Sequence, residues 1–389
     1  MDTVRILSVD DESDLELLLT QYFRRKIRKG EYEFSFAHNG LEALEMLLKH
    51  KNFDIILSDI NMPEMDGLTL LTKINEMQNP ALKCIMVSAY GDMGNIRQAM
   101  NNGAFDFATK PIDLDDLSVT IEKAIAQIAY IKRMELEHKQ LEGIKDDLAV
   151  ASQIQLSILP RIFPPFPDCT DKLDIAASMH AAKDVGGDFY DFFRIDDDHI
   201  GFVMADVSGK GIPAAIFMAV SRTVIRTTAI QGMSPGACIA RSNSLISKES
   251  SNGMFVTVFY GIYNVKTGEI SYCNAGHNSP FILKENGKVE ELPMSTNLIV
   301  GIMDGFEFEE GRCQLEPGDT LFTYTDGVSE AMDVNLEMFG EDRMKASLAK
   351  VPQHTCQQII DTMKADVADY TKGAEQSDDI TMLALKRLS

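Results

Sequence analysis

The stretch from Leu114 to Leu159 constrains the fold of this 389-residue chain more than any other feature. It contains no proline and one glycine, Gly143, and its apolar residues recur every three or four positions. This spacing predicts one long amphipathic helix, which prolines at 160, 164, 165 and 167 would end. We therefore expect an N-terminal lobe at 1–125, a helical linker at 113–160 and a C-terminal lobe at 161–389.

The apolar residues of the linker follow two heptad registers that are offset by one residue near Met134. Because a single helix of this length cannot bury its own apolar stripe, we expect a parallel two-stranded coiled coil and hence a homodimer. The alternative is a helix that lies across its own lobes. The first register contains Leu114, Leu117, Ile121, Ala124, Ile128 and Ile131, and the second contains Met134, Leu141, Ile144, Leu148 and Ala151.

The net charge of the chain argues against some classes of binding partner. Acidic residues outnumber basic ones 59 to 37, which gives a formal net charge of −22. Nucleic-acid binding requires a concentrated basic surface, so we expect no nucleic-acid partner. The six cysteines are scattered and the chain has no apolar run of membrane-spanning length. We expect a cytoplasmic protein without a signal peptide or a membrane partner.

The N-terminal lobe alternates short apolar runs with amphipathic stretches. This order predicts a doubly wound α/β fold, in which helices cover both faces of a five-stranded parallel sheet. Reactive groups of such sheets lie at the carboxyl ends of the strands. The predicted strands are 4–9, 33–37, 54–58, 83–88 and 105–109.

Polar residues follow these strands at the predicted sheet edge. Asp10 and Asp11 follow the first strand, Asp59 the third, Ser88 ends the fourth and Lys110 follows the fifth. Neighbouring carboxylates repel each other unless a cation neutralises them, and Mg²⁺ prefers oxygen ligands. A carboxylate, a lysine, a hydroxyl and Mg²⁺ together suit phosphoryl transfer onto Asp59.

This pattern, over about residues 3–125, resembles a two-component response-regulator receiver domain, which has a flavodoxin-like fold. The resemblance implies that a sensor histidine kinase supplies the phosphoryl group and that Lys110–Pro111 is a cis peptide. Phe107 also suits ordinary packing. The implied roles are phosphoacceptor for Asp59, Mg²⁺ binding for Asp10, Asp11, Asp59 and the Asn61 carbonyl, phosphoryl contact for Lys110, and conformational switch for Ser88 and Phe107.

The C-terminal lobe has a different order of elements. Its predicted strands follow one another at hairpin distances, which favours an α+β fold with antiparallel sheets flanked by helices. We expect strands at 199–206, 254–264, 269–275, 319–326 and 379–388, and helices around 212–230, 234–250 and 353–371.

Aspartates recur at strand ends in this lobe, each beside a glycine or another small residue. They are Asp188, Asp206, Asp326 and Asp378, with Asp379 adjacent to the last. Histidine and cysteine are absent from these segments, which favours Mg²⁺ or Mn²⁺ over zinc. Two such ions can clamp a phosphoryl group for in-line displacement.

The four sequence segments around these aspartates resemble those of the PPM family of metal-dependent protein serine/threonine phosphatases. The resemblance is to the bacterial branch that regulates stress-response and sporulation sigma factors. ASQIQLSILP and NAGHNSP are also typical of that branch. The resemblance implies a β-sandwich flanked by helices and two ions, Mg²⁺ or Mn²⁺. The implied ligands are Asp188, Asp206 as the bridging residue, the Val207 carbonyl, Asp326 and Asp378, with Asp379 as an alternative.

Two positions depart from the family pattern. Many PPM enzymes have a histidine two residues after the bridging aspartate, where this chain has Ser208. Their phosphate-binding arginine has no evident counterpart, and Lys183 is the candidate phosphate contact. His277 either assists near the site or holds a tight turn.

The resemblance implies a phosphoserine or phosphothreonine substrate on a STAS-type anti-sigma-factor antagonist, with hydrolysis controlled by phosphorylation of Asp59. We expect residues 148–159 to carry this control by packing beside the helix that begins near Gly211. One alternative is a pseudophosphatase scaffold that binds sigma-factor regulators without hydrolysis. Others are a cyclase-like or DNA-binding output and removal of phosphate from the chain's own Asp59.

Overall fold

The computed structural model describes residues 3–50, 52–89, 92–249, 253–294, 296–351 and 353–389. The chain forms two compact units, residues 1–144 and 145–389. In the described ranges, no helix has both the length and the apolar character needed to cross a membrane.

The first unit is a five-stranded parallel sheet in the order β2-β1-β3-β4-β5. The prediction of a doubly wound α/β fold is confirmed, with strand boundaries within a residue or so of those expected. Its strands are β1 (Val4–Val9), β2 (Tyr32–Ala37), β3 (Ile55–Asp59), β4 (Lys83–Ala89) and β5 (Asp106–Lys110), and its helices are α1 (Ser13–Tyr22), α2 (Arg24–Arg28), α3 (Gly40–Lys49), α4 (Gly67–Glu76) and α5 (Met93–Asn101).

One long helix, α6 (Leu114–Ile158), begins in this unit. Leu117, Ile121, Ala124 and Ile128 are buried in the core beneath the sheet, together with Ile55. The first apolar register of α6 therefore belongs to the core of its own unit and needs no second copy of the chain. The coiled-coil prediction is restricted to the second register.

The second register of α6 has a different environment. Met134, Leu141 and Ile144 are 46%, 59% and 56% exposed within a single chain. Side chains of this type at heptad spacing are unfavourable in water unless a partner covers them.

The second unit contains two five-stranded antiparallel sheets, in the orders β13-β10-β9-β8-β7 and β12-β11-β14-β15-β6. Its strands are β6 (Leu173–His180), β7 (Phe189–Arg194), β8 (His199–Val207), β9 (Val256–Asn264), β10 (Glu269–Ala275), β11 (Phe281–Leu283), β12 (Val289–Glu291), β13 (Gly311–Gln314), β14 (Thr320–Tyr324) and β15 (Ile380–Arg387), and its helices are α7 (Ile212–Ala229), α8 (Pro235–Glu249), α9 (Asp326–Ser329), α10 (Gly340–Leu348) and α11 (Cys356–Tyr370), with a short 3₁₀ helix at Pro167–Cys169.

The alternation of side chains along β15 explains how these sheets are layered. Leu383 and Leu385 point into the core shared with the other sheet, which also contains residues of α7 and α8. Met382 and Ala384 point to the opposite face, where α10 and α11 cover them. The predicted antiparallel sandwich with helices outside it is confirmed.

Candidate metal centres

The first cluster of carboxylates lies at the carboxyl edge of the parallel sheet. Asp10 directly follows β1, and Asp59 is the last residue of β3. Ligand oxygens of Asp10, Asp11 and Asp59 all lie within 4.8 Å of one another. Asp10 and Asp59 are each only 6% exposed, whereas Asp11 is exposed. The sequence-based expectation that these side chains meet at one edge agrees with this geometry.

Lys110, at the end of β5, reaches into the same cluster. Its Nζ lies 2.6 Å from Oδ2 of Asp59 and 3.0 Å from Oδ2 of Asp10. Burial lowers the pKa of Lys110, but its hydrogen bonds to the two carboxylates outweigh that effect and the pKa lies above its ordinary value. Burial raises the pKa of Asp10. The lysine is therefore a fixed positive charge beside Asp59.

The other predicted receiver residues surround this cluster. Ser88 is fully buried, and its hydroxyl has no hydrogen-bond partner within the described residues. Phe107 is half-buried and packs against the core. The backbone N–H of Asn61 donates to Oδ1 of Asp59 across 3.3 Å. The Lys110–Pro111 peptide is cis, as predicted.

The second cluster contains the four aspartates predicted for the C-terminal lobe. Asp188 directly precedes β7, Asp206 lies in β8, Asp326 begins α9, and Asp378 precedes β15. Asp188 is 1% exposed and the other three are half-buried. The carboxylates are close enough to act on one another electrostatically, so these segments, which are far apart in sequence, meet at one end of the sandwich.

The electrostatics show that these carboxylates affect one another. Burial raises the pKa of Asp188 well above its ordinary value, and the charges of Asp206 and Asp379 raise it further. Burial and then the charge of Asp326 raise the pKa of Asp206 to about 7. Burial and the charge of Asp378 raise the pKa of Asp326. This cluster is looser than the first, because within the described part of the chain only the Asp10–Asp11–Asp59 group brings three ligand atoms within 4.8 Å.

Glycines allow the backbone segments of this cluster to approach closely. A Cβ on Gly187 would lie 2.9 Å from the Val207 carbonyl oxygen, the predicted backbone ligand. A Cβ on Gly327 would lie 2.0 Å from the Asp379 carbonyl oxygen. Larger residues at either position would push apart the segments that carry the aspartates.

Asp378 and Asp379 have different surroundings. Asp379 is 8% exposed, and its carboxylate accepts hydrogen bonds from the backbone N–H groups of Ala182 and Gly187 across 2.8 and 2.7 Å. Oδ2 of Asp378 lies 2.8 Å from Nζ of Lys210. Oδ1 of Asp378 accepts the Asp379 N–H across 2.9 Å, so both carboxylates have partners, and Asp378 differs from Asp379 in being half-buried and paired with a lysine.

Ser208 and Lys183, the residues at the two departures from the family pattern, have different surroundings. Ser208 is tied to the backbone, since its Oγ accepts a hydrogen bond from the Phe255 N–H across 3.0 Å. Lys183 is exposed and forms no ion pair with any described residue.

His277 is 6% exposed, and its environment favours the structural alternative. Its Nε2 lies 3.0 Å from the Tyr324 carbonyl oxygen, and its Nδ1 lies 2.9 Å from the Thr257 hydroxyl. Nε2 must therefore donate, so the ring is the Nε2–H tautomer and Nδ1 accepts from Thr257. The histidine holds the turn to neighbouring strands.

Three polar residues next to the second cluster were not identified from the sequence. Thr325 donates from Oγ1 to Oδ2 of Asp188 across 2.6 Å. Gln155, near the end of α6, exchanges hydrogen bonds with the Gly186 backbone. Lys210 contacts Asp378. Thr325 could have been identified from the sequence because it directly precedes Asp326. For Gln155, the sequence offered only its place in the ASQIQLSILP segment.

Both clusters fit divalent cations of the hard type. Their side-chain donors are carboxylate oxygens without histidine or cysteine, and the second cluster concentrates negative charge in a buried place. Such charge is unfavourable without a cation to offset it. Mg²⁺ and Mn²⁺ match this donor set, and the chemistry does not distinguish between them.

The parallel sheet with its acidic edge and the sandwich with its cluster of aspartates define a receiver domain joined to a metal-dependent phosphatase domain of the PP2C type. Residues 6–122 match the response regulator receiver domain, and residues 196–388 match the family described as Stage II sporulation protein E (SpoIIE). The first domain thus matches the response regulator receivers, and the second matches the SpoIIE family of PP2C-type phosphatases.

Individual relatives resemble different parts of the chain. Protein IcfG of Synechocystis sp. is 33% identical over 269 residues, which cover 62% of this chain and 41% of that protein. Phosphoserine phosphatase RsbU of Bacillus subtilis is 28% identical over 257 residues, covering 64% of this chain and 74% of that protein. The SiaA-PP2C domain of Pseudomonas aeruginosa has the same fold, with a TM-score of 0.56 at 22% identity over 64% of this chain and 98% of that domain.

Proposed function

We propose that the chain is a response regulator whose output is hydrolysis of phosphoserine or phosphothreonine on a partner protein. The observation that carries this proposal is the meeting of Asp188, Asp206, Asp326 and Asp378 at one end of the sandwich, where burial and neighbouring carboxylates raise the pKa values of the first three. The similarity to a phosphoserine phosphatase supports the substrate class.

The proposed site residues have distinct tasks. Asp188, Asp206, Asp326, Asp378 and the Val207 carbonyl would hold two divalent ions. When bound, these ions supply positive charge that offsets the charge on the phosphoryl group. In the net reaction a water oxygen bonds to phosphorus, the bond between phosphorus and the serine oxygen breaks, and the serine oxygen takes a proton.

Residues around the ligands would orient them. Thr325 donates to one oxygen of Asp188 and so fixes the orientation of this carboxylate. Lys210 is a partly exposed positive charge beside Asp378 and can approach an incoming phosphate. It is a stronger candidate for this contact than Lys183, which is exposed and interacts with none of these aspartates.

The proposed substrate is a STAS-type anti-sigma-factor antagonist, and the proposed input is a sensor histidine kinase that phosphorylates Asp59. In that step the bond between phosphorus and the kinase histidine breaks and a bond to the Asp59 carboxylate forms. The 2.6 Å contact between Lys110 and Asp59 supports this role, because the ammonium group would offset the charge of the new phosphoryl group.

Hydrolysis tests the output. The full chain should release phosphate from a phosphoserine-bearing STAS protein in the presence of Mn²⁺, and Asp206→Ala should abolish release. Asp197→Ala, at an exposed aspartate in the turn between β7 and β8 and at the other end of that hairpin, is the matched control and should retain full activity. Binding of the STAS protein without phosphate release would favour the pseudophosphatase alternative.

A second measurement tests the input. Acetyl phosphate should change the hydrolysis rate of the wild-type chain but not of Asp59→Asn, whereas Asp14→Asn, at an exposed position of α1, should respond like the wild type. The direction of the change is itself an outcome. Equal rates with and without acetyl phosphate in the wild type would exclude control by phosphorylation of Asp59.

A further inference from the structure

We propose that a cavity beside the second cluster of aspartates, together with an exposed apolar loop that adjoins it, is the docking site for an apolar side chain of the phosphoprotein substrate. The cavity is lined by residues of α9, α11 and the start of β15, and is called here the α11 cavity. The apolar loop is residues 332–338. This inference rests on the proposed function and adds a physical basis for substrate selection.

The α11 cavity adjoins the segments that carry two of the proposed metal ligands. Its wall includes Gly327, which follows Asp326, and Ser377, which precedes Asp378. A phosphoserine held at the metal centre would therefore bring neighbouring residues of its own chain to the cavity. This continuity with the site of hydrolysis favours the substrate itself as the occupant.

The size and lining of the α11 cavity suit one or two apolar side chains. Its volume is about 310 Å³, at the small end of the range of about 300–1,000 Å³ found for ligand pockets. Met332, Val367 and Ile380 supply apolar surface, and the small side chains of Ala331 and Ala368 leave the space open. An apolar side chain that enters this space leaves water, which favours binding.

Polar contacts hold one wall of the cavity in place. Nε2 of Gln376 donates to the carbonyl oxygens of His180 and Asp378 across 3.0 and 2.7 Å. Nζ of Lys210 donates to the Ser377 carbonyl oxygen across 2.6 Å. The wall is therefore tied to the segment that carries Asp378, and the cavity keeps a fixed position relative to the metal centre.

The apolar loop exposes more apolar surface than a free loop favours. Val334, Leu336 and Met338 occupy alternate positions and are 64%, 78% and 48% exposed. Leu336 also has a φ of 65°, a left-handed conformation that glycine or asparagine adopts more readily than leucine. Residues held in such conformations cluster at ligand-binding sites. An exposed leucine in this conformation indicates a binding role for the loop.

Hydrogen bonds keep the apolar loop in one conformation. Oδ1 of Asp333 accepts the N–H groups of Asn335 and Glu337 across 2.8 and 3.0 Å. The Tyr370 hydroxyl donates to the Met338 carbonyl oxygen across 3.2 Å and so joins the loop to α11. Because the loop is already ordered, it loses little conformational freedom when a partner binds.

The apolar loop and the α11 cavity form one continuous surface. Met332 begins the loop and also lines the cavity. Val334 lies against the segment after α11, since a Cβ on Gly373 would be 3.5 Å from its Cγ1. A small molecule in the cavity would leave Leu336 in water, whereas a protein bound across this surface would cover both. The geometry therefore points to a protein partner that presents apolar residues near its phosphoserine.

The test uses two pairs of matched substitutions in the full chain. Ala368→Phe places a large side chain in the cavity, and Ala365→Phe places the same side chain at an exposed position of α11 outside the cavity lining. Leu336→Glu puts a charge on the apolar loop. Leu388→Glu makes the same change at an exposed leucine just beyond β15, at the end of that strand away from Asp378.

Each chain is assayed with a phosphoserine-bearing STAS protein and with p-nitrophenyl phosphate, which is too small to occupy the metal centre and the docking surface together. The ratio of the two kcat/KM values should fall by about 10-fold or more in Ala368→Phe and Leu336→Glu, mainly through a higher KM for the protein. It should keep the wild-type value in the two controls. A wild-type ratio in all four variants would overturn the inference, as would an equal loss with both substrates.

The partner side of the contact is tested with phosphoserine peptides that have alanine flanks and one leucine at successive positions. The leucine position that most raises kcat/KM should lose its advantage in Ala368→Phe and keep it in Ala365→Phe. Peptides that are all hydrolysed alike would contradict the proposal. Leu336→Glu should also sediment like the wild type; a change in its oligomeric state would assign the loop to self-association instead.

Failure of the proposed function gives a different result. A wild type that hydrolyses neither substrate would refute that function, and calorimetric binding of the phosphoserine-bearing STAS protein would then decide the docking site. Affinity about 10-fold lower in Ala368→Phe and Leu336→Glu, but not in the controls, would leave the docking site standing. Equal affinity in all chains, or binding to none of them, would overturn it as well.

Discussion

Thr325 donates a hydrogen bond from Oγ1 to Oδ2 of Asp188 across 2.6 Å, although 137 positions separate the two residues in the sequence. Both are buried, and the same Oγ1 accepts the Thr381 N–H across 3.0 Å. The hydroxyl thus joins the end of β14, the start of β15 and the segment before β7 at the proposed metal centre, and it fixes the orientation of the Asp188 carboxylate.

We expect Thr325→Val to weaken this centre. The substitution preserves the shape of the side chain but leaves an Asp188 oxygen and the Thr381 N–H without their partner, which should destabilise the chain by about 1–3 kcal/mol. Mn²⁺ affinity should fall by about 10-fold. Urea unfolding and calorimetric Mn²⁺ titration measure the two effects. Thr325→Ser keeps the hydroxyl and should retain most of the Mn²⁺ affinity; a loss as large as in Thr325→Val would assign the effect to packing.

Because carboxylates crowd around Asp206, we expect Asp206→Asn to change the melting temperature in opposite directions without and with Mn²⁺. Asp206→Asn removes one of several mutually repelling charges, so the metal-free chain in EDTA should melt at the same or a higher temperature than the wild type. In Mn²⁺ the order should reverse, because binding stabilises only a chain that retains its site. Thermal melts with and without Mn²⁺ test this expectation.

Asp191 provides the matched control for that experiment. It is 1% exposed, whereas Asp206 is half-buried, and its carboxylate lies 3.0 Å from Arg222 and 2.7 Å from Arg226. Asp191→Asn would leave the half-buried Arg222 without its charge partner and should lower stability in both conditions. A metal-free Asp206→Asn chain that melts as low as Asp191→Asn would show that Asp206 is a structural carboxylate.

The sequence predicted the receiver fold and its acidic edge well, because parallel strands bring their carboxyl ends together whatever the details of packing. Asp10, Asp59 and Lys110 needed only the order of the strands to be placed side by side. The aspartates of the second unit were predicted as ligands for a similar reason, since each stands beside an apolar strand, and the structure places Asp188 and Asp378 just before β7 and β15.

What the sequence could not supply were contacts that depend on the packing of distant segments. Thr325 looks like an ordinary strand residue, and its role exists only because β14 lies beside the segment that carries Asp188. Gln155 belongs to a helix whose periodicity says nothing about Gly186. The first apolar register of α6 was assigned to a coiled coil because heptad spacing looks the same whether the helix meets a second copy or its own sheet.

His277 should make the stability of the chain sensitive to acid. Burial lowers its pKa to about 4, against the opposing effect of the Tyr324 carbonyl. The unfolded chain binds this proton near pH 6.5 and the folded chain only near pH 4, so the contribution is present above pH 6.5 and is lost as the pH falls between these values. From pH 7 to pH 5 the loss is about 2 kcal/mol.

Urea unfolding of the wild type and His277→Gln at both pH values isolates this effect. Other groups titrate in the same range, so the informative quantity is the difference between the two chains. The free energy of unfolding of the wild type should fall more than that of His277→Gln by about 2 kcal/mol. If the two free energies of unfolding changed with pH in parallel, His277 would bind its proton in the folded chain over the same pH range as in the unfolded chain.

The exposed second register of α6 leads to a prediction about assembly. Met134, Leu141 and Ile144 are about half exposed in one chain, and their heptad spacing suits a parallel partner helix. We expect the wild type to sediment as a dimer and Leu141→Glu, which places a charge in the seam of each helix, to sediment as a monomer. Lys139→Glu makes a charge change on the opposite face of the same helix and should leave the dimer intact. A wild-type monomer at micromolar concentration would contradict the proposed coiled coil, and the exposed register would then require a different partner.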